Sequence, residues 1–361
     1  MPTHDERGRT IEELRRAIDE VDGRLLELLN ERGRLAVEVG QRKEQMEATP
    51  FVPSRERQVL DRLTALNPGP LSGASLIGIY HEIISACRLL QKPLVVSYLG
   101  PPGTFTQMAA VKRFGAGAQL APADSVDEVF GEVEKSRADY GVVPIENSTE
   151  GVENHTLDTF AVSRLRICAE CYVEADHGLL ASERRAGYDR IYSHRQALAQ
   201  CRGWIRRQQP KAELVEVSST SRAAEMAAKE PSAAAIGTEL AATLYGLSVI
   251  ESHIQDNPHN RTRFLVIGTT ENPPSGRDKT SLMFSVRHQA GALFRALGIF
   301  DEFSINLTLI ESRPTKQTPW EYVFFADLQG HAHDPRVADA LRRLEEQALF
   351  VRLLGSYPEA E

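Results

Sequence analysis

Residues 11–43 read IEELRRAIDEVDGRLLELLNERGRLAVEVGQRK. Ile11, Leu14, Ile18, Val21, Leu25, Leu28, Leu35 and Val39 recur on alternating steps of three and four, which is one apolar stripe on a helix with coiled-coil period. The stripe has one foreign member, Arg32. A guanidinium in an apolar seam is costly unless an anion meets it. Arg15 and Lys43 flank the same seam one position off. A long helix with cations along its buried face marks a site for an anionic ligand.

The rest of the first region, to about Gln91, also reads as helix. A break at Thr49-Pro50-Phe51-Val52-Pro53 leads to a shorter helix capped by Ser54, Asn67-Pro68-Gly69-Pro70 ends it, and a third helix runs from about Ser72 to Gln91. At about 1.5 Å per residue the long helix spans roughly 54 Å, about twice the reach of either short one. Its remaining apolar face needs another chain, which predicts an interlocked homodimer. Along the axis Arg15 lies roughly 25 Å from Arg32, and Arg32 roughly 16 Å from Lys43. Long side chains close the second gap around a small ligand but not the first, so Arg15 serves a site built mainly by the partner.

The chain has 361 residues, which is long for one core and predicts two or three domains. A hydrophobic share of 42% with 25% charged residues describes a globular protein, and a net charge of -8 argues against a general polyanion binder. The polar start to Thr10 has no apolar h-region, and no later segment has the length of a membrane span, so the expectation is a cytoplasmic protein with no membrane or nucleic-acid partner. Four cysteines fit a reducing compartment.

After Lys92-Pro93 short apolar runs alternate with helical pattern. Strands are predicted at Leu94 to Leu99, Tyr140 to Ile145, Ile167 to Val173, Ala212 to Val217, Ala233 to Ile236 and Arg263 to Ile267, an α/β region of two lobes with a cleft. Residues 271–277 are a linker by composition. The last region then runs strand, helix, strand, strand, helix, strand between Thr280 and Leu354, the ferredoxin-like order.

The charged positions of the first region, from Leu14-Arg15 through Glu31-Arg32 and Lys43 to Arg55-Glu56-Arg57, resemble the all-helical chorismate mutases. Their reaction is a pericyclic rearrangement of chorismate to prephenate, which needs cations and hydrogen-bond donors and no nucleophile. The resemblance implies that Arg15 of the partner chain, Arg32 and Arg55 bind the substrate carboxylates, that Lys43 and Gln91 reach the ether oxygen, and that Glu56 meets the ring hydroxyl. Gln91 ends the apolar face of Tyr80, Ile84 and Cys87. Val52 stands where some members have an acidic residue, and Cys87 where some have a hydroxyl.

In the central region a glycine loop, Gly100-Pro101-Pro102-Gly103-Thr104, precedes a helix, where free amides bind anions. Pro144 to Gly151, Ser193-His194-Arg195-Gln196-Ala197-Leu198 and Asn260-Arg261-Thr262-Arg263-Phe264 each sit at an apparent strand end. Together they resemble the prephenate dehydratases, which form phenylpyruvate by losing hydroxide and carbon dioxide. By that resemblance Thr262 is closest to the chemistry as a positioned donor. Thr104, Asn147 and Ser148 supply further donors, Arg263 anchors a carboxylate and Phe264 belongs to the binding motif. Glu146 is an acid if burial raises its pKa. His194 reads as a helix cap. Cys168 and Cys171 read as buried structural residues, because no second pair completes a zinc set. His331-Ala332-His333 reads as solvated loop.

Gly291-Ala292-Leu293-Phe294 at a helix start and Glu311-Ser312-Arg313-Pro314 at a strand end resemble the effector pair of ACT domains, which implies L-phenylalanine as an inhibitor. The expected architecture is therefore multidomain: an all-α chorismate mutase domain as an interlocked dimer over 8–93, a two-lobed α/β prephenate dehydratase domain resembling type II periplasmic binding proteins over 94–270, a linker over 271–278, and an α+β ferredoxin-like ACT domain over 279–357. The expected assembly is a homodimer or tetramer, with no cofactor and no metal. An amino-acid-responsive regulatory protein is the competing class, and it predicts a DNA-binding helix-turn-helix or an export signal that the sequence does not contain.

Overall fold

The computed structural model describes residues 9–45, 51–115, 117–314 and 322–360. The start before Arg9 and Thr49-Pro50 of the predicted break lie outside the described residues. The chain divides into two units, residues 1–51 with 66–93, and residues 52–65 with 94–361.

The first unit holds α1 (Ile11–Gln45) and, after α2 (Pro53–Leu66), the helix α3 (Gly73–Leu89). Ser72 caps α3 by accepting from the Ser75 amide. The three-four seam of α1 stays exposed within this unit, with Leu28 at 59%. α1 meets α3 on a different face, where Leu26, Leu29, Gly33 and Val37 look across a groove of about 480 Å³ at Ile83 and Leu90. Gly33 and Gly40 lie off the seam and make this approach close. A Cβ on Gly33 would sit 3.3 Å from Leu90 Cδ1, and one on Gly40 only 2.8 Å from Gln91 Cβ.

In the second unit β1 (Val95–Leu99), α4 (Phe105–Phe114), β2 (Gln119–Ala123), α5 (Val126–Glu134), β3 (Tyr140–Asn147), β4 (Gly151–Val152), α6 (Asn154–Val162) and β5 (Arg166–Glu174) form the first lobe. The second lobe holds β6 (Gly178–Ala181), β7 (Arg190–His194), α7 (Arg195–Gln200), α8 (Arg202–Gln208), β8 (Glu213–Val217), α9 (Thr220–Ala228), β9 (Ala233–Gly237), α10 (Glu239–Tyr245) and β10 (Ser248–Glu251). The chain then returns as β11 (Arg261–Gly268), antiparallel between β3 and β5. The first sheet has the order β2-β1-β3-β11-β5 with β4 on β3, and the second β10-β6-β9-β7-β8. Both hinge crossings, residues 175–177 and 252–260, therefore lie beside the end of β11 that carries Thr262. The strands missing from the sequence reading include β2 and β10, both at sheet edges, where one side has no strand and the apolar run is short.

β12 (Asp278–Ser285), α11 (Ala292–Glu302), β13 (Leu307–Pro314), β14 (Tyr322–Gln329), α12 (Pro335–Gln347) and β15 (Phe350–Pro358) realise the predicted ferredoxin-like order, with sheet order β13-β14-β12-β15. Alternation along β12 divides its sides: Leu282 and Phe284 pack under α11 and α12, while Met283 joins Phe325, Leu354 and Tyr357 in one core with Ile145, Phe160 and Ile167 of the first lobe. Around that shared core the linker is held in place, and the expectation for His331 is corrected. The linker is pinned, because buried Asn272 donates to Cys168 O at 2.7 Å and Ser356 O at 3.1 Å. His331 is buried, with Nε2 2.9 Å from Asn272 O, rather than part of a solvated loop. No helix of the described residues is long and apolar enough to cross a membrane.

Candidate active sites and effector site

Thr262 and Asn147 face each other in register across β11 and β3, and Asn147 Nδ2 donates to Thr262 Oγ1 at 2.8 Å. The Asn147 oxygen accepts from the Thr149 and Glu150 amides at 2.9 and 3.2 Å, which folds the following residues into an Asx turn. Ser148 Oγ accepts from the Arg261 amide at 3.0 Å and donates to Asn260 Oδ1 at 3.2 Å, and Thr149 Oγ1 donates to that same oxygen at 3.2 Å. Residues from β3 and β11, far apart in the chain, thus form one polar cluster at a strand end, where α/β clefts collect ligands.

Gln200 completes this cluster and was not singled out from the sequence. Its Oε1 accepts from Asn260 Nδ2 at 2.9 Å, and its Nε2 donates to Glu150 Oε1 at 3.2 Å. Gln196 also donates to Glu150. The readable signal was the spacing: Gln196 and Gln200 are four apart on one helix face, and the motif read from Ser193 stopped at Leu198.

Several predicted residues take other places. Neighbours in a strand face opposite sides, so Arg263 points away from Thr262. It is 4% exposed, bonded through Nε to Glu170 at 2.7 Å, through Nη1 to Asp327 at 2.6 Å and through Nη2 to the Tyr357 hydroxyl at 3.0 Å. Burial works against its charge, and Tyr357, Asp327 and Glu170 outweigh that, raising its pKa. The expected carboxylate anchor is therefore a structural cation. Phe264, 1% exposed, is core rather than ligand surface. The Glu146 side chain is 39% exposed and lacks the burial its acid role requires. Thr104 caps α4, accepting from the Gln107 amide at 3.4 Å. The glycine loop before it packs on the second lobe, where Thr238 Oγ1 donates to Gly103 O at 2.7 Å. His194 occupies the N-cap position of α7 without a side-chain capping bond. Cys168 and Cys171 are buried free thiols, each pushed up to about 11 mainly by burial.

In the first unit Arg15 is exposed, while Arg32 is half-buried with Nη1 3.4 Å from Ile83 O. Lys43 is half-buried, and burial first, then the charge of Arg88, lowers its pKa. Gln91 lies against Gly40, one turn before Lys43, and its Oε1 is buried with no hydrogen-bond partner among the described residues. On α2, Arg55 is exposed. Glu56 is buried, and its Oε2 pairs with Arg113 at 2.8 Å inside the second unit.

The family model for prephenate dehydratase matches residues 96–272, that for type II chorismate mutase residues 14–92, and that for the ACT domain residues 280–346. The bifunctional chorismate mutase/prephenate dehydratase of Aquifex aeolicus is 45% identical over 355 residues, covering 97% of this chain and 98% of its own. That of Pseudomonas aeruginosa is 46% identical over 354 residues, covering 96% and 97%. The chain belongs to the bifunctional chorismate mutase/prephenate dehydratases. Among solved structures, the prephenate dehydratase of Arthrobacter aurescens in complex with L-Phe is 37% identical with a TM-score of 0.69, covering 74% of this chain and 90% of that one.

The dehydratase region thus comprises the two lobes with β11, and the ACT domain is the last sheet with α11 and α12. Within the ACT domain Gly291 starts α11 with φ +77°, a conformation glycine adopts without strain, and Ala292 and Leu293 form the first turn. Glu311, Ser312, Arg313 and Pro314 end β13, an edge strand. Arg313 forms a bidentate pair with Asp158 of α6, at 3.0 and 3.1 Å. The end of β13 therefore touches the dehydratase helix that follows the Asn147 turn.

Proposed function

We propose that this enzyme takes chorismate through prephenate to phenylpyruvate at two separate centres, and that L-phenylalanine bound at the ACT domain inhibits the dehydratase. The observation that carries the dehydratase centre is the Asn147 to Thr262 hydrogen bond, 2.8 Å long, at the mouth of the hinge. Because Thr262 Oγ1 accepts from Asn147, its own proton is free to point at the departing ring hydroxyl of prephenate. Ser148 and Asn147 hold the ring on the same cluster. Aromatisation drives loss of carbon dioxide, so the site needs placed donors more than a strong acid.

For the mutase, Arg32 and Lys43 bind and polarise chorismate from α1 and Gln91 offers its amide beside Lys43; the role of Arg55 in carboxylate binding rests on the resemblance to the chorismate mutases alone. Arg15 serves the partner's site. The exposed seam of α1 supports an interlocked homodimer: Leu14, Ile18, Val21, Leu25 and Leu28 all remain exposed in one chain. Gly291 to Leu293 and Glu311 to Pro314 are the proposed phenylalanine contacts. The proposed compartment is the cytoplasm, in keeping with four cysteines that are free.

Two substitutions separate the centres. Arg32→Ala should abolish turnover of chorismate and leave turnover of prephenate, while Thr262→Ala should do the reverse. Chorismate turnover that survives Arg32→Ala would overturn the mutase assignment, and prephenate turnover that survives Thr262→Ala would overturn the dehydratase assignment.

A further inference from the structure

His177 closes the first hinge crossing and is 3% exposed. Its amide donates to Gln255 Oε1 at 3.0 Å and its carbonyl accepts from the Ile254 amide at 3.0 Å, which ties the two crossings together. Its ring stands edge-on to Phe105, with centroids 5.3 Å apart. Nε2 lies 2.9 Å from Gln200 Oε1, the oxygen that also accepts from Asn260. A carboxamide oxygen can only accept, so His177 donates at Nε2 and its neutral ring leaves Nδ1 without a proton. Nδ1 is buried with no hydrogen-bond partner among the described residues.

We propose that His177 is a positioning residue for the dehydratase reaction: its Nε2–H locks the Gln200 carboxamide in the orientation that joins the second lobe to the Asn147 turn. This rests on placing the dehydratase centre at Asn147 and Thr262. In the observed orientation Gln200 receives two donors on its oxygen and gives its amino group to Glu150. A flipped amide would set its amino group against the donors of His177 and Asn260, and its oxygen against the Glu150 carboxylate. The first clash leaves the buried donors of His177 and Asn260 unpaired, which disfavours the flip. From Gln200 the bonds run to Glu150, whose amide donates to Asn147, and Asn147 donates to Thr262. A second branch runs through Asn260 to Ser148. The hinge imidazole thereby sets the position of the donors at the reacting centre without touching substrate.

Two neutral substitutions in the full chain test this. Gln places an N–H near the Nε2 position, and Asn places one near Nδ1. With rates normalised to the folded fraction from circular dichroism, His177→Asn should lower kcat for prephenate by about 10- to 100-fold, the range expected for a misplaced donor, with a smaller change in KM. His177→Gln should keep kcat within about threefold. Equal losses in both variants, or no loss in His177→Asn while Thr262→Ala is inactive, would overturn the positioning role. Activity surviving in Thr262→Ala would instead overturn the site on which it rests. If the Asn variant does not fold, nitrogen NMR of the unsubstituted enzyme decides: the proposal requires His177 protonated at Nε2 and bare at Nδ1 at neutral pH, and the opposite tautomer refutes it.

Discussion

Thr262 and Arg263 are neighbours in β11 and serve opposite faces of one sheet. Thr262 looks into the hinge and Arg263 into the core shared with the ACT sheet, where Lys279 also bonds Glu170, at 2.9 Å. Removing one member of such a buried set leaves the others uncompensated. Glu170→Gln should therefore destabilise the second unit by about 3–5 kcal/mol, read from urea denaturation. His177 carries a pH dependence. Burial lowers its folded-state pKa below the ordinary 6.5, and the Gln200 bond and Asp176 only partly oppose this. Between the two values the unfolded chain binds more protons, so stability rises with pH. The contribution is complete above about 6.5 and disappears as pH falls through the folded value. Scanning calorimetry should show the second unit's melting temperature falling on acidification below that point, less steeply in His177→Gln.

At the scale of elements, α1 carries two faces with different partners. Its three-four stripe was legible from residue spacing alone, because helical periodicity is local. The partner of its other face was not: Leu26, Leu29 and Val37 are apolar, but the close approach to α3 depends on Gly33 and Gly40, which carry no hydropathy signal. Gly40→Ala puts a methyl 2.8 Å from Gln91 Cβ. It should cost the first unit about 1–3 kcal/mol and push Gln91 off station, so chorismate turnover falls while prephenate turnover holds. A Leu28→Glu change tests the other face, with no expected effect on α1 against α3. Sedimentation should show dimers dissociating, and mutase activity should fall with them.

For the molecule as a whole, α6 links the proposed effector site to the proposed dehydratase centre. It follows the Asn147 turn, its Thr156 hydroxyl donates to Pro144 O at 2.7 Å, and Asp158 receives Arg313 of the ACT domain. An effector that draws on Arg313 would alter that pair, which would give phenylalanine a differential contact between states. Asp158→Asn should shift the phenylalanine concentration for half inhibition while leaving the uninhibited dehydratase rate near its original value. An unchanged inhibition curve would exclude the pair from the coupling.

Read alone, the amino-acid sequence determined the three kinds of region, the cations of the long helix, the ferredoxin-like order and the Asn147 and Thr262 motifs. Each of these is written in local spacing or in a short run of residues. Tertiary structure decided which face each motif residue occupies. Asn147 and Thr262 are 115 residues apart and meet only because β11 returns between β3 and β5. Arg263, one residue on, is turned by the same strand toward Glu170 and Asp327. Gln200 and His177 join the site because both hinge crossings pass beside that strand end. Alternation along a strand is local, but which strands pair, and so which of the two faces meets the cleft, is long-range geometry that no spacing within a single motif encodes.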